Sequence, residues 1–498
     1  MFRLLFIFSL AAQAAAASMP LKIIEPINKK PNLLEQMAGE DHTILNLTHP
    51  PFVALSKNWQ WQCMVCKKIP NKEDGSLKKA RKRRVKKIHT NWEIKDTYFW
   101  SNGEPVTGYD VKRSINLLRP KLTHINKLVK DIKVDENNPR KFSIIFRSYR
   151  STFFQLLAIR LIPRDHSLKL SYGPYRVSVW GKNAVKLRKN IYDRKGDVSF
   201  DTIDIIDGNA DTLLKKPRYP TIVMPGALAK EPEILKNLEK KGRKNGYKFY
   251  TETSPELISL FFNLRNPDFA NKKVRIALAK ALYDQQIGAA YYGDSSYKTQ
   301  SFSHPADPIC PVELLEKESQ PEETKKIPLP KKIRIALPNT PRKKAYFESI
   351  KKAWQGLGIK VEKTIVSEAF FKERVLQEAH FKDLALVSWR TSPGTLPLSV
   401  FYSKEIPSYE NRFKGQNITG WLNREVDDLL KAFYKAKSQK DLVHVCEKLH
   451  RNFKKDQPII PLSFTPMTIA VSSDIKGFLP IWHLYSSSLY ARDWRVLK

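Results

Sequence analysis

Between Ile333 and Trp389 the apolar residues change period four times, and this alternation narrows the fold more than any other feature of the chain. Ile333, Ile335 and Leu337 alternate as in a strand. Tyr346, Ile350, Ala353, Trp354 and Leu357 fall on one helix face, which Gly356 and Gly358 bring to an end. Ile359–Val361 then reads as a strand, Ala369–Ala379 as a helix and Leu384–Trp389 as a strand again. Strands separated by helices pair in parallel, and a parallel sheet is covered on both faces. The expected class is α/β.

The same punctuation appears elsewhere. In Trp100–Leu118, Asn102-Gly103 is a tight-turn dipeptide and Pro105 keeps its predecessor extended. Thr107 and Asp110 have the spacing of a capping box, and Val111, Ile115 and Leu118 give the helix one apolar face. Gly108 is expected to weaken the first turn slightly. Tyr172-Gly173-Pro174-Tyr175 is a turn leading into strands that run past Trp180 to Tyr192. Leu257–Asn263 is a strand, followed by an amphipathic helix through Val274, Ala277, Leu278, Ala281 and Leu282. Asn423 caps a helix whose apolar face is Val426, Leu429, Leu430 and Phe433.

The first seventeen residues read as an export signal: Met1-Phe2-Arg3, the apolar run Leu4–Ala12, and small residues at Ala15-Ala16-Ala17. The apolar run is too short to span a bilayer. An exported chain with Cys63, Cys66, Cys310 and Cys446 permits disulfides, but four cysteines allow three pairings. The formal charge of +37 favours anionic partners. It is densest at Lys78, Lys79, Arg81, Lys82, Arg83, Arg84, Lys86 and Lys87, which read as a solvated loop or edge strand or as an anion-binding patch. No GxSxG, HExxH or glycine-rich phosphate loop is present, and His444 and His450 do not share a helix face. Neither an enzyme nor a metal site is indicated, and no cofactor is expected.

Five blocks, in order, resemble family 5 extracytoplasmic solute-binding proteins, the oligopeptide, dipeptide and nickel receptors of ABC importers. They are Trp100–Val111, Tyr172–Tyr192, Phe262-Asn263 with its following helix, Asn417–Leu430, and Pro458–Leu462 with Lys476–Phe478. The resemblance implies a two-lobed type II periplasmic binding protein that closes on a solute. Residues 1–17 are then a signal, 18–256 lobe one with a subdomain at about 50–160, 257–469 lobe two, and 470–498 the return to lobe one. It implies a periplasmic monomer, soluble after signal cleavage, that binds a peptide or small solute and delivers it to an inner-membrane permease. An anionic envelope surface is a further partner suggested by the charge. The resemblance places Phe262, Asn263, Trp389, Arg390 and Ser392 at the ligand site. Peptide receptors commonly carry Asp three residues after the Trp, to pair with the peptide ammonium; Ser392 stands there, beside Arg390. The competing reading is an exported polyanion- or envelope-binding protein that reuses the receptor fold.

Overall fold

The computed structural model describes residues 19–496 apart from 28–29, 35–42, 83–84, 148–152, 197, 229–230, 294–298, 311–326, 391–395, 437 and 482–486. The signal segment, Arg83, Arg84 and Ser392 therefore lie outside the described residues, as do the side chains of Lys79, Arg81, Lys82, Lys86 and Lys87.

A ten-stranded mixed sheet runs through the molecule. In spatial order its strands are Lys360–Val366, Lys332–Pro338, Leu384–Arg390, Tyr247–Phe262, Ile459–Ser472, Thr221–Val223, Leu21–Ile24, Thr202–Ile206, Ala184–Lys189 and Tyr175–Trp180. Lys332–Pro338 pairs in parallel with both Lys360–Val366 and Leu384–Arg390, as the alternation of periods requires. The expected helix at 369–379 forms as one turn, Glu368–Phe370, continued by a wider π-helical stretch, Phe371–Gln377.

The two long strands, Tyr247–Phe262 and Ile459–Ser472, are paired antiparallel along most of their length. Their register slips between Thr253 and Leu257, where Ser254 and Thr465 join hydroxyl to hydroxyl at 2.8 Å. On one side of the slip Tyr247, Ile469, Ala470 and Val471 enter cores built with Leu21, Ile23, Ile205 and Val223. On the other side, Leu257–Phe262, Ile459, Ile460, Leu462 and Phe464 enter cores built with Leu337, Trp354, Leu386 and Leu430. Apolar burial is thus divided between two bodies, and only two strands carry the sheet from one to the other. Such an arrangement bends at the slip at less cost than it deforms either core.

A third core surrounds a four-stranded antiparallel sheet: Leu77–Lys82, Val85–Glu93, Lys141–Phe146 and Val129–Val134 in order. The basic run is the strand pair at its edge, Leu77 opposite Thr90 and Lys82 opposite Val85. Charge on an edge strand hinders pairing with another chain. The helix Gly108–Leu118 covers this sheet. The backbone N–H of Thr107 donates to the Asp110 carboxylate at 2.8 Å, as the capping spacing requires. A Cβ at Gly108 would lie 2.8 Å from Cβ of Phe142, so glycine here allows the helix to approach the sheet.

Two disulfides close the chain, Cys63–Cys66 and Cys310–Cys446. The second ties the segment 299–310 to the helix Gln439–Asp456.

Candidate functional site

Strand parity decides which side chains of the sheet meet. Leu257 and Phe261 enter the same core as Ala385 and Val387, with Trp389 packed at its edge. Ile258, Leu260 and Phe262 enter the core on the opposite face. Trp389 stands edge-on to Phe261 and Phe401, with centroids 6.5 and 6.3 Å away, and its indole N–H reaches Oγ of Ser259 at 3.4 Å. Only half-buried, it forms part of the wall of a cavity of about 910 Å³.

Phe261, Phe302, Leu376 and Leu396 give that cavity an apolar side. Lys372, Arg390, Arg412 and Lys414 give it a basic one, and Asp307 is the acid among its described lining residues. With 87 basic residues in 498, four cations around such a cavity are ordinary for this chain. The number is therefore uninformative, and the pairing matters more. The Asp307 carboxylate accepts the backbone N–H groups of Ile309 and Cys310, at 2.9 and 3.2 Å. Arg390 is exposed and forms no ion pair with any described residue.

The structure does not bring the other two sequence-placed residues to this cavity. Phe262 is fully buried against Phe269, on the face of the sheet away from Trp389. The Asn263 amide donates to the carbonyls of Phe381 and Lys382, at 2.8 and 3.2 Å, and so ties two segments of backbone together.

Arg390 ends its strand opposite Glu256 in the register. Glu256 is engaged by Arg342, 2.7 Å away, in the first turn of the helix Pro341–Gln355. The next residue, Lys343, is 4% exposed. Burial first, and the Arg342 charge second, push its ammonium down to about 7. Nothing in the sequence singled it out, because a lysine near the start of a helix ordinarily reads as solvated.

Aromatic residues join the bodies. Trp59, at φ +59°, lies against the ring of His304 with centroids 4.9 Å apart. His304 also packs edge-on to Phe464 and contacts the carbonyl of Thr253, where the register slips. The segment holding His304 is pinned by Phe302 stacked on His450 at 4.0 Å and by the disulfide. Burial holds His450 down at about 3, so its ring is neutral. Cys310, Cys446 and His450 form the group among the described residues with metal-like proximity. Their sulfurs are bonded to each other, and one His450 nitrogen contacts Ser301 Oγ at 2.7 Å, so the cluster is a structural clasp.

Two lobes joined by paired strands, with a ligand-sized cavity at the carboxyl end of a sheet strand, define the class of two-lobed solute receptors. The family model for bacterial extracellular solute-binding proteins, family 5, matches residues 89–405, well over half of the chain, and the protein belongs to that family. Its members are binding receptors, and this chain is a receptor of that kind rather than an enzyme. No curated protein matches. Among solved structures, a putative peptide-binding protein AppA from Clostridium difficile is 17% identical, with TM-score 0.74, over 96% of this chain and 100% of that one. The oligopeptide-binding protein AppA from Bacillus subtilis, in complex with a nonapeptide, is 17% identical, with TM-score 0.67, over 97% and 100%. NikZ from Campylobacter jejuni, in complex with Ni(L-His), is 16% identical, with TM-score 0.67, over 96% and 99%. At these identities the likeness is one of fold.

Proposed function

We propose that the protein is the substrate-binding component of an ABC importer. In this reading it binds an anionic or amine-blocked peptide-like solute between its lobes and delivers it to a membrane permease. The observation that carries the reading is Arg390, exposed and without an ion pair among the described residues, beside Trp389 at a cavity whose acid, Asp307, is engaged by backbone. A buried ammonium needs a counter-charge, and this cavity offers a cation instead. Solved relatives of the fold carry a nonapeptide and a nickel–histidine complex, and another is described as a periplasmic EDTA-binding protein. The fold therefore accommodates small anionic chelates as well as peptides. Arg390 would hold a carboxylate or phosphate by paired hydrogen bonds, Trp389 would supply an apolar wall, and Ser392 would leave the amine unclaimed. Calorimetry with solute recovered from the purified protein tests the reading: Arg390→Ala should bind it more weakly than the native form, and equal affinity would contradict the role of Arg390.

The lobes are taken to divide at the register slip near residue 256 and again near 469, with 470–498 returning to lobe one. Closure around a solute needs contacts from both lobes, since only differential affinity shifts an open–closed equilibrium. The described wall of the cavity comes from residues 261–418, all in the proposed lobe two, so contacts from lobe one would be added on closure; Trp59 against His304 is where the two proposed lobes touch each other.

Export to the periplasm is part of the same reading. No helix among the described residues is long and apolar enough to cross a membrane. The expected mature protein begins at Ser18, and mass spectrometry of its N-terminus checks this; an intact Met1 in a cytoplasmic fraction would contradict it.

A second reading, binding to an anionic envelope surface, is supported by the edge position of the basic strand pair. Replacing Lys78, Lys79, Arg81, Lys82, Arg83, Arg84, Lys86 and Lys87 with Ser is expected to weaken binding to anionic vesicles. It should also flatten the salt dependence, because salt screens exposed charge strongly. Equal binding by both forms would leave a solvated hairpin.

A further inference from the structure

We propose that the first turn of the helix Pro341–Gln355 is an anion site, at which Lys343 and Arg342 take a carboxylate or phosphate group of the solute beside Arg390. The inference rests on the receptor reading above and names the chemistry of the solute's second point of attachment.

Lys343 is the observation that demands explanation. It is buried, and its Nζ has no hydrogen-bond partner among the described residues. Lys343 lies in the first turn, on the buried face that continues through Tyr346, Phe347 and Ile350, and the charges of Arg342 and Glu256 both act on its ammonium. There the helix presents the positive end of its dipole, which disfavours a cation and favours an anion. Arg342 adds a second positive charge. Glu256 is the carboxylate that acts on Lys343 electrostatically, and Arg342 already holds it at 2.7 Å. Two cations and a helix end thus share one carboxylate in a desolvated place. An apolar side chain would fill the space without that cost. An incoming anion would offset the charge, the dipole and the desolvation together.

Its place in the fold ties this turn to the solute. The helix follows the strand Lys332–Pro338, which runs parallel to Leu384–Arg390. Its first turn and Arg390 therefore lie at the carboxyl ends of neighbouring parallel strands, where open α/β sheets take ligands. Glu256 links them, opposite Arg390 in the register and bonded to Arg342. The Trp389 cavity opens on one face of the sheet and this helix packs on the other. A solute with two anionic groups, or one anionic group and an apolar body, would span the sheet edge.

Titration calorimetry of the mature protein with inorganic phosphate tests the proposal, with chloride at equal ionic strength as the comparison. The native protein is expected to bind phosphate and not chloride. Lys343→Met, close in shape and uncharged, should weaken phosphate binding tenfold or more, and circular dichroism would establish that it folds. Native protein that binds no phosphate, or equal phosphate affinity in the native and Lys343→Met forms, would overturn the proposal. Arg390→Ala separates the two readings. If it loses phosphate while Lys343→Met keeps it, the helix site falls and the role of Arg390 stands. If Lys343→Met loses phosphate while Arg390→Ala keeps it, the helix site stands and Arg390 is not the anchor. Loss in both forms supports a shared site.

Discussion

Replacing Cys310 and Cys446 together with Ser should destabilise the protein by about 4–5 kcal/mol, because their bond closes a long loop in the unfolded chain. The two cysteines are 136 residues apart, whereas Cys63 and Cys66 are separated by 3. The same chain-entropy argument gives the shorter bond no more than about 2 kcal/mol. The longer bond also has a local task. It holds the segment carrying Phe302, Ser303 and Asp307, three residues of the cavity wall, against the helix Gln439–Asp456. The loss should therefore appear in solute affinity as well as in stability. Urea unfolding of the two double-serine variants checks the first point: the Cys310/Cys446 variant should have much the lower midpoint. Equal midpoints for the two variants would contradict it.

Lys343→Met should have the opposite sign and stabilise the protein at pH 7 by on the order of 3–4 kcal/mol. In the unfolded chain the amine ionises near its ordinary value of 10.5, while burial and then Arg342 lower it to about 7 in the folded protein. Between those values the unfolded state binds more protons than the folded state, so native stability should rise with pH from about 7 to about 10. Glu256 and Arg342 are the charged groups that act on Lys343 directly, and Tyr292 and Tyr346, both raised mainly by burial, lie beside Arg342. With Met in place of Lys343 that rise should flatten, leaving the largest difference between the proteins at pH 7 and below. Urea unfolding at pH 6, 7 and 9 measures it. A variant less stable than native at pH 7, with the same pH slope, would show that the ammonium is solvated or paired. A stability cost retained at a sheet edge is what an anion site before loading would carry.

Local punctuation made much of the fold legible. Thr107 and Asp110 cap their helix as spaced, and the strands at 332–338, 360–366 and 384–390 form where the period changes to two. Charge obscured other elements. The lysines and arginines after Leu77 leave a solvated loop and an edge strand equally open, because an edge hairpin needs few apolar residues; the structure has the edge strand, paired with a second one. Gly108 looked like a weak helical residue, since its reason, Phe142, is thirty-four positions away. Sequence neighbours also mislead across a sheet. Phe262 belongs to a recognisable family block, yet parity turns it away from Trp389. Lys343 and the Trp59–His304 contact depend on tertiary placement alone, and no spacing rule reports them. The cysteine pairing likewise depends on which segments meet.

The most direct test concerns Arg390. Solute recovered from the purified protein would be identified by mass spectrometry and returned by calorimetry to the native, Arg390→Ala and Ser392→Asp forms. The account predicts a solute with a carboxylate or phosphate group and no free peptide amine. It predicts that Arg390→Ala weakens binding roughly ten- to a hundredfold, the loss of a charge-assisted hydrogen bond of about 1.5–3 kcal/mol. It also predicts that Ser392→Asp gives no improvement. Tight binding of unmodified peptides through their amino termini, undiminished in Arg390→Ala, would contradict it.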